Sequence, residues 1–256
     1  VPHPHMKAGN HAVRLDLQAV AENCGPAQLF HQGFGKFLEG VAEDHHLGHG
    51  PQLVQKLFRS RERIDPGNGL LDLPDPLDTV DEDVLDEAMS CYKDEEVHRV
   101  TVAAAEVEYE HYCQYTRVEE IMEFARKIGA KKLGIATCVG LLRESRTLAA
   151  ILRSHGFEVY GVSCKAGVQK KTSVGIPEKC SEIGENMCNP ILQAKLLNKE
   201  KTDLNIVVGL CVGHDSLFYR YSDALVTTAV TKDRVLGHNP AAALYTADSY
   251  YSKLKK

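Results

Sequence analysis

Four apolar runs stand out along the second half of the chain: Lys132 to Cys138, Phe157 to Cys164, Asp203 to Cys211 and Ala224 to Val230. None shows steady polar alternation. Such runs are carried by strands buried on both faces, as in a parallel sheet covered by helices. Between them the period changes. Leu141, Leu148, Ile151 and Leu152 follow helical spacing up to a stop at Gly156, and Ile191, Leu192, Ala194, Leu196 and Leu197 follow the helix-start pair Asn189-Pro190. His214 to Tyr221 predicts a short helix, and Asn239-Pro240 opens a last one through Leu244 towards Tyr251. Strands joined by helices imply right-handed crossovers. The predicted fold class is α/β: a small three-layer Rossmann-like domain over residues 130–256, with a mainly parallel four-stranded sheet.

Residues 84–129 read as a helical lead-in packed on that domain. From Val84 to about Tyr112 there is no Gly or Pro, and Glu and Ala are frequent. Thr116-Arg117-Val118-Glu119 has the form of a capping box, in which a Thr side chain caps the helix while Glu reaches back to the cap. Val118, Ile121, Met122, Ala125 and Ile128 then mark one apolar face, and Gly129 ends it.

Residues 1–83 differ in character. All ten tyrosines lie at Tyr92 or later, while seven of the twelve histidines fall within the first fifty residues. Asp65-Pro66-Gly67-Asn68-Gly69 and the prolines after it break any helix or central strand. The segment reads as atypical: a weakly ordered extension with incidental histidines, or a stretch foreign to the rest of the chain. His45, His46 and His49, at helical spacing, would also suit a metal-binding arm.

Composition narrows the classes. The charged and hydrophobic shares, 25% and 43%, are those of a globular chain, and a net charge of −5 lacks the basic footprint of a nucleic-acid binder. No apolar run approaches the roughly 18 residues of a membrane span. The start Val1-Pro2-His3-Pro4-His5 lacks the layout of a signal peptide. A cytoplasmic location is therefore expected, where eight cysteines are buried, catalytic or metal-bound rather than paired in disulfides.

Four of those cysteines occupy telling places. Cys138, Cys164 and Cys211 end three predicted strands, and Cys188 directly precedes Asn189-Pro190. Open α/β sheets bind ligands beyond the carboxyl ends of their strands, so the pattern predicts a thiol-lined site there. Gly237-His238-Asn239-Pro240 echoes Met187-Cys188-Asn189-Pro190 and adds His238. Cys138, Cys164, Cys188, Cys211 and His238 form a ligand set suited to zinc or an iron–sulfur cluster. There is no C-x-x-C pair, so any such ligands come from separate loops.

The same residues carry other readings. Gly209-Leu210-Cys211-Val212-Gly213 has the form of a nucleophile turn, with Cys211 as nucleophile and His214 as base. A thiol at a helix mouth is acidified by the helix dipole. Arg143, Lys232 and Arg234, with Arg146 nearby, could hold a small anion, and Asp215 could cap the helix after Cys211. Cys180 is a resolving thiol, a spare ligand or neither. Cys91 and Cys113 read as core or incidental. Three functions therefore stand: a metal- or cluster-binding protein, a cysteine-nucleophile enzyme, and a non-catalytic anion sensor. The expected partner is a metal ion or small molecule, not nucleic acid or membrane, and self-association stays open.

From about Val84 to Tyr251 the chain resembles a family of uncharacterised bacterial and archaeal proteins described as metal-binding. The resemblance rests on Gly134-Ile135-Ala136-Thr137-Cys138-Val139-Gly140, on Met187-Cys188-Asn189-Pro190-Ile191-Leu192-Gln193-Ala194 and on Val208-Gly209-Leu210-Cys211-Val212-Gly213-His214-Asp215-Ser216, with Gly237-His238-Asn239-Pro240 in support. It implies four cysteines near the N-terminus that hold zinc. This chain departs there, with only Cys24 before Cys91, so that site transfers to no residue here.

Overall fold

The structure, a computed structural model, describes residues 81–255. The expectations for residues 1–80, Cys24 and the His45-His46-His49 set among them, lie outside the described residues. Among the described residues seven α-helices and four strands follow one another: α1 Glu82–Cys91, α2 Glu95–His111, α3 Arg117–Lys127, β1 Lys132–Thr137, α4 Leu142–Ser154, β2 Glu158–Ser163, α5 Pro190–Glu200, β3 Leu204–Val208, α6 His214–Tyr221, β4 Leu225–Val230 and α7 Ala241–Tyr245. The sheet order is β2-β1-β3-β4, and every pairing is parallel.

The apolar runs are explained by position. All five residues of β3 and five of the six in β1 are buried, because these are the central strands. Side chains alternate faces along a strand. Leu133, Ile135, Leu204, Ile206 and Val208 meet one helical layer, through Ile121, Met122 and Ala125 of α3 and Leu148, Ala149 and Leu152 of α4. Ala136, Val162 and Val207 meet the other, through Ala194 and Leu197 of α5 and Phe218 of α6. Gly134 belongs to this second face. A Cβ there would lie 2.0 Å from Asn205 Oδ1 and 2.9 Å from Leu197 Cδ1. The space admits a buried Asn205, whose amide accepts from Thr202 Oγ1 at 2.7 Å and donates to Ser222 Oγ at 2.8 Å.

The capping box at Thr116 is formed: Glu119 N–H donates to Thr116 Oγ1, and Thr116 N–H donates to Glu119 Oε2 at 2.8 Å. The helix-favouring stretch before it is two helices. Asp94 breaks it by accepting the N–H groups of Glu96 and Val97, a capping arrangement that starts α2 afresh. α1 buries no residue, so the lead-in packs through α2, by Ala103 and Val107, and through α3. The last helix is shorter than the sequence suggests. Asn239 does not cap it, because His238 takes a left-handed φ of 68° and Pro240 occupies the cap position. Among the described residues no helix is long and apolar enough to cross a membrane.

Candidate thiol site

Parity carries two of the sulfurs to one face. Counting in twos along β1, Gly134 and Ala136 lead to Cys138; along β2, Val162 leads to Cys164. Both cysteines join the core between the sheet and the α5/α6 layer, and Cys188 packs against it from the start of α5. Asn189 caps α5 by accepting the Leu192 N–H at 2.9 Å, with Pro190 in the first position. That cap fixes where Cys188 enters. Main-chain bonds join the three segments: Cys164 N–H donates to Thr137 O at 2.8 Å, and Asn189 N–H donates to Cys164 O at 2.7 Å.

The three sulfurs interact. Cys164 lies between the other two, and hydrogen bonding to Cys138 and then Cys188 pushes its thiol far up, with burial adding to the effect. The outer two go the other way. Hydrogen bonding to Cys164 lowers Cys138 to about 5, helped by the Gly140 N–H and the Lys232 charge and opposed by burial. Cys188 is lowered to about 4, first by Cys164 and also by His214 and Lys165, again against burial. His214 rises in return, chiefly through its hydrogen bond to Cys188. The outer two thiols are thus favoured as thiolates and the central one as a thiol, and the three titrate as a coupled set. The turn after β1 supports it, since Val139 N–H donates to Cys164 Sγ at 3.3 Å.

Cys211 stands beside this trio rather than within its hydrogen-bond chain. Arg234 Nη2 donates to its sulfur at 2.9 Å. Burial nevertheless pushes its thiol up, and the charges of Cys138 and Cys188 add to that rise. Cys188 is the thiol that raises His214 most, while Cys211 takes its bond from Arg234. Asp215 does not cap α6: Gly213 holds the cap position, and Asp215 in the first turn accepts the Ser216 N–H at 2.8 Å. Gly209 shapes the turn before Cys211. Its φ is +64°, and a Cβ would lie 1.9 Å from Leu141 Cδ1.

The remaining candidates separate. His238 is tied to its own loop: its backbone N–H donates to Asp233 O at 2.8 Å, and its Nδ1 accepts the Asp233 N–H at 3.1 Å. Burial lowers its pKa, with Lys232 adding to the effect. In the neutral ring this bond engages the Nδ1 lone pair and leaves the proton on Nε2. Lys232 and Cys138 both approach Gly140, their Nζ and Sγ atoms lying 3.4 and 3.9 Å from where a Cβ there would be, and the Lys232 charge lowers the Cys138 thiol. Arg143 lies elsewhere, in a groove of about 360 Å³ lined by Val118, Thr147, Ile151 and Ala229. Arg146 is exposed. Cys91 and Cys113 are exposed rather than core. Cys180 is half-buried in the loop before α5, where its carbonyl accepts from Lys171 Nζ. Among the described residues no group of three or more His, Cys, Asp or Glu side chains is placed to hold a metal ion as it stands.

Two contributors were missed in the sequence. Lys165, just after Cys164, adds positive charge near Cys188 and donates through Nζ to Asn186 O. Gln193, fully buried in the first turn of α5, donates to Thr137 O and Val162 O. A polar residue among Ile191, Leu192, Ala194 and Leu197 was the available signal.

Fold and site together define an α/β protein with a cysteine cluster at the carboxyl edge of a parallel sheet. Residues 76–229 match the family described as a protein of unknown function (DUF1847), and the chain belongs to that family. An uncharacterized protein of Methanocaldococcus jannaschii, MJ0455, is 47% identical over 176 residues, which cover 67% of this chain and 87% of that one. A crystal structure of Dph2 from Pyrococcus horikoshii is similar at a TM-score of 0.28 and 16% identity, over 54% of this chain and 32% of that one. That likeness is too slight to bear on fold or function.

Proposed function

We propose that the chain binds a soft metal centre, zinc or an iron–sulfur cluster, through Cys138, Cys164 and Cys188, with Cys211 as the adjacent fourth sulfur. The observation that carries this reading is the meeting of three sulfurs from three separate chain segments, two of them acidified. Thiolate is the ligand form of cysteine, and soft thiolates select zinc and iron–sulfur centres. Lys165, Lys232 and Arg234 supply positive charge that offsets an anionic thiolate centre, and the Val139 N–H already donates to sulfur. Bound there, zinc would supply structural cross-linking or Lewis acidity, and a cluster would supply electron transfer. Loading requires the thiols to exchange their mutual hydrogen bonds for bonds to the metal. The test is anaerobic purification followed by elemental analysis and an absorption spectrum. Zinc, or iron with sulfide, in stoichiometric amount supports the reading; a chain that holds neither, as isolated or after reconstitution, overturns it.

A second reading is favoured by the Cys188–His214 pair. A thiol lowered beside an imidazole that it raises is the arrangement of a cysteine nucleophile with its base. On this reading Cys188, rather than Cys211, attacks an electrophilic substrate. Rapid, selective alkylation of Cys188 in metal-free protein supports it, and equal slow alkylation of the site cysteines counts against it.

A further inference from the structure

Gln193 has no exposed surface, and it lies on the face of α5 that packs Ala194 and Leu197 against the sheet. An amide there is an unexpected occupant, because a buried polar group is costly unless its hydrogen bonds are made. Gln193 makes only some of them. Its Nε2 donates to Thr137 O at 3.1 Å and to Val162 O at 2.7 Å. Both partners are carbonyl oxygens, so the NH2 end must face them, and both of its hydrogens are used. Its Oε1 has no partner among the described residues. The side chain is thus retained for its two donations, not for complete satisfaction of its own amide.

Those donations fall at particular places. Thr137 directly precedes Cys138, Val162 lies two residues before Cys164, and Gln193 belongs to the helix whose cap, Asn189, follows Cys188. The main-chain bonds described above join these segments in pairs. The Gln193 amide touches all three. We propose that Gln193 is the positioning residue of the thiol site: it clamps the ends of β1 and β2 to the first turn of α5 and so sets the spacing of the Cys138, Cys164 and Cys188 sulfurs. An apolar side chain of similar length would fill the volume but leave α5 free to shift against the two strand ends.

The metal arm of the test rests on the reading above; a second arm does not. Wild type, Gln193→Met and a packing control in the same layer, Leu197→Met, are compared as full chains. Cobalt(II) is titrated into each, followed by its sulfur-to-metal charge-transfer band. Phenylarsine oxide, which bridges neighbouring thiols, is titrated in parallel with a count of free thiols by mass-spectrometric mapping. We expect Gln193→Met to keep its helical circular dichroism yet bind cobalt about tenfold more weakly or worse, the usual effect of losing an outer-sphere support. Leu197→Met should stay close to wild type. Equal cobalt affinity in wild type and Gln193→Met overturns the proposal. If wild type binds no cobalt, the metal reading fails and the arsenical decides: capture of Cys138, Cys164 or Cys188 pairs in wild type but not in Gln193→Met supports the clamp, and any other pattern overturns it. Should Gln193→Met fail to fold, Gln193→Glu, which keeps the shape but offers at most one donor, when protonated, takes its place.

Discussion

Cys188 and His214 face one another across the start of α6: the thiol is lowered to about 4, first by Cys164 and then with help from His214, and Cys188 in turn raises the imidazole. The sign of the pH effect follows. Cys188 is ionised above its lowered pKa and loses its charge only as the pH falls through it. A free thiol, with a pKa of about 8.5, instead gains roughly tenfold in thiolate per pH unit on the way to neutrality. Iodoacetamide should therefore modify Cys188 at a rate that is nearly flat between pH 6 and 8, followed by peptide mapping of metal-free protein. His214→Asn should move the foot of that plateau to higher pH. A steep rise across the same range in wild type would refute the assignment.

The separation of Cys211 from the trio predicts unequal mutants. Cys164→Ala removes the sulfur that both neighbours share and should abolish metal loading. Cys211→Ala removes one held by Arg234 at 2.9 Å and should retain loading at reduced affinity. Elemental analysis of the two variants side by side checks this, and equal loss in both would place Cys211 among the obligatory ligands.

The capping box gives an acid-sensitive contribution to stability. Hydrogen bonds from the Thr116 side chain, then from its backbone, lower the Glu119 pKa below its ordinary value. A depressed carboxylate stabilises the fold above its unfolded pKa, and that contribution is lost as the pH falls through the folded value. The melting-temperature gap between wild type and Glu119→Gln should be full at neutral pH and should narrow below about pH 4.5. A gap independent of pH would mean that the carboxylate charge contributes nothing.

Gly209→Ala should destabilise the fold by about 1 to 3 kcal/mol, because it combines a left-handed backbone with a collision in a packed core. The collision is with Leu141 Cδ1, 1.9 Å from the added Cβ. Denaturant titration measures it, and a change within about 0.5 kcal/mol, as for an ordinary surface substitution, would show that the turn relaxes freely.

Much of this was legible in the residues. The strands were visible because β1 and β3 are buried on both faces, which forces continuous apolar runs; Leu133 and Val207 each had to be apolar for a different layer. That Cys138 and Cys164 share one core cluster, with Cys188 packed against it, follows from strand ends and a helix cap. Pairwise chemistry was not legible. Whether His214 meets Cys211 or Cys188 depends on how α6 leaves its turn, and both cysteines lie within reach of such a turn on paper. His238 looked equivalent to Cys188 because both precede Asn-Pro. The left-handed His238 backbone breaks the analogy, and no local pattern announces it. Gln193 was overlooked because a periodic apolar face invites the reader to count only its apolar members.

The long connection from Lys165 to Asn189 has one more consequence. It is held by polar staples, Lys165 Nζ to Asn186 O, Lys171 Nζ to Cys180 O and a lone antiparallel bridge between Lys170 and Asn186, while the sheet is held by apolar layers. Cys138 and Cys164 thus sit within the core, whereas Cys188 packs against its edge at the end of a connection held mainly by polar contacts. Local opening of that connection would release Cys188 before the two strand-end cysteines, so the three thiols need not lose protection together.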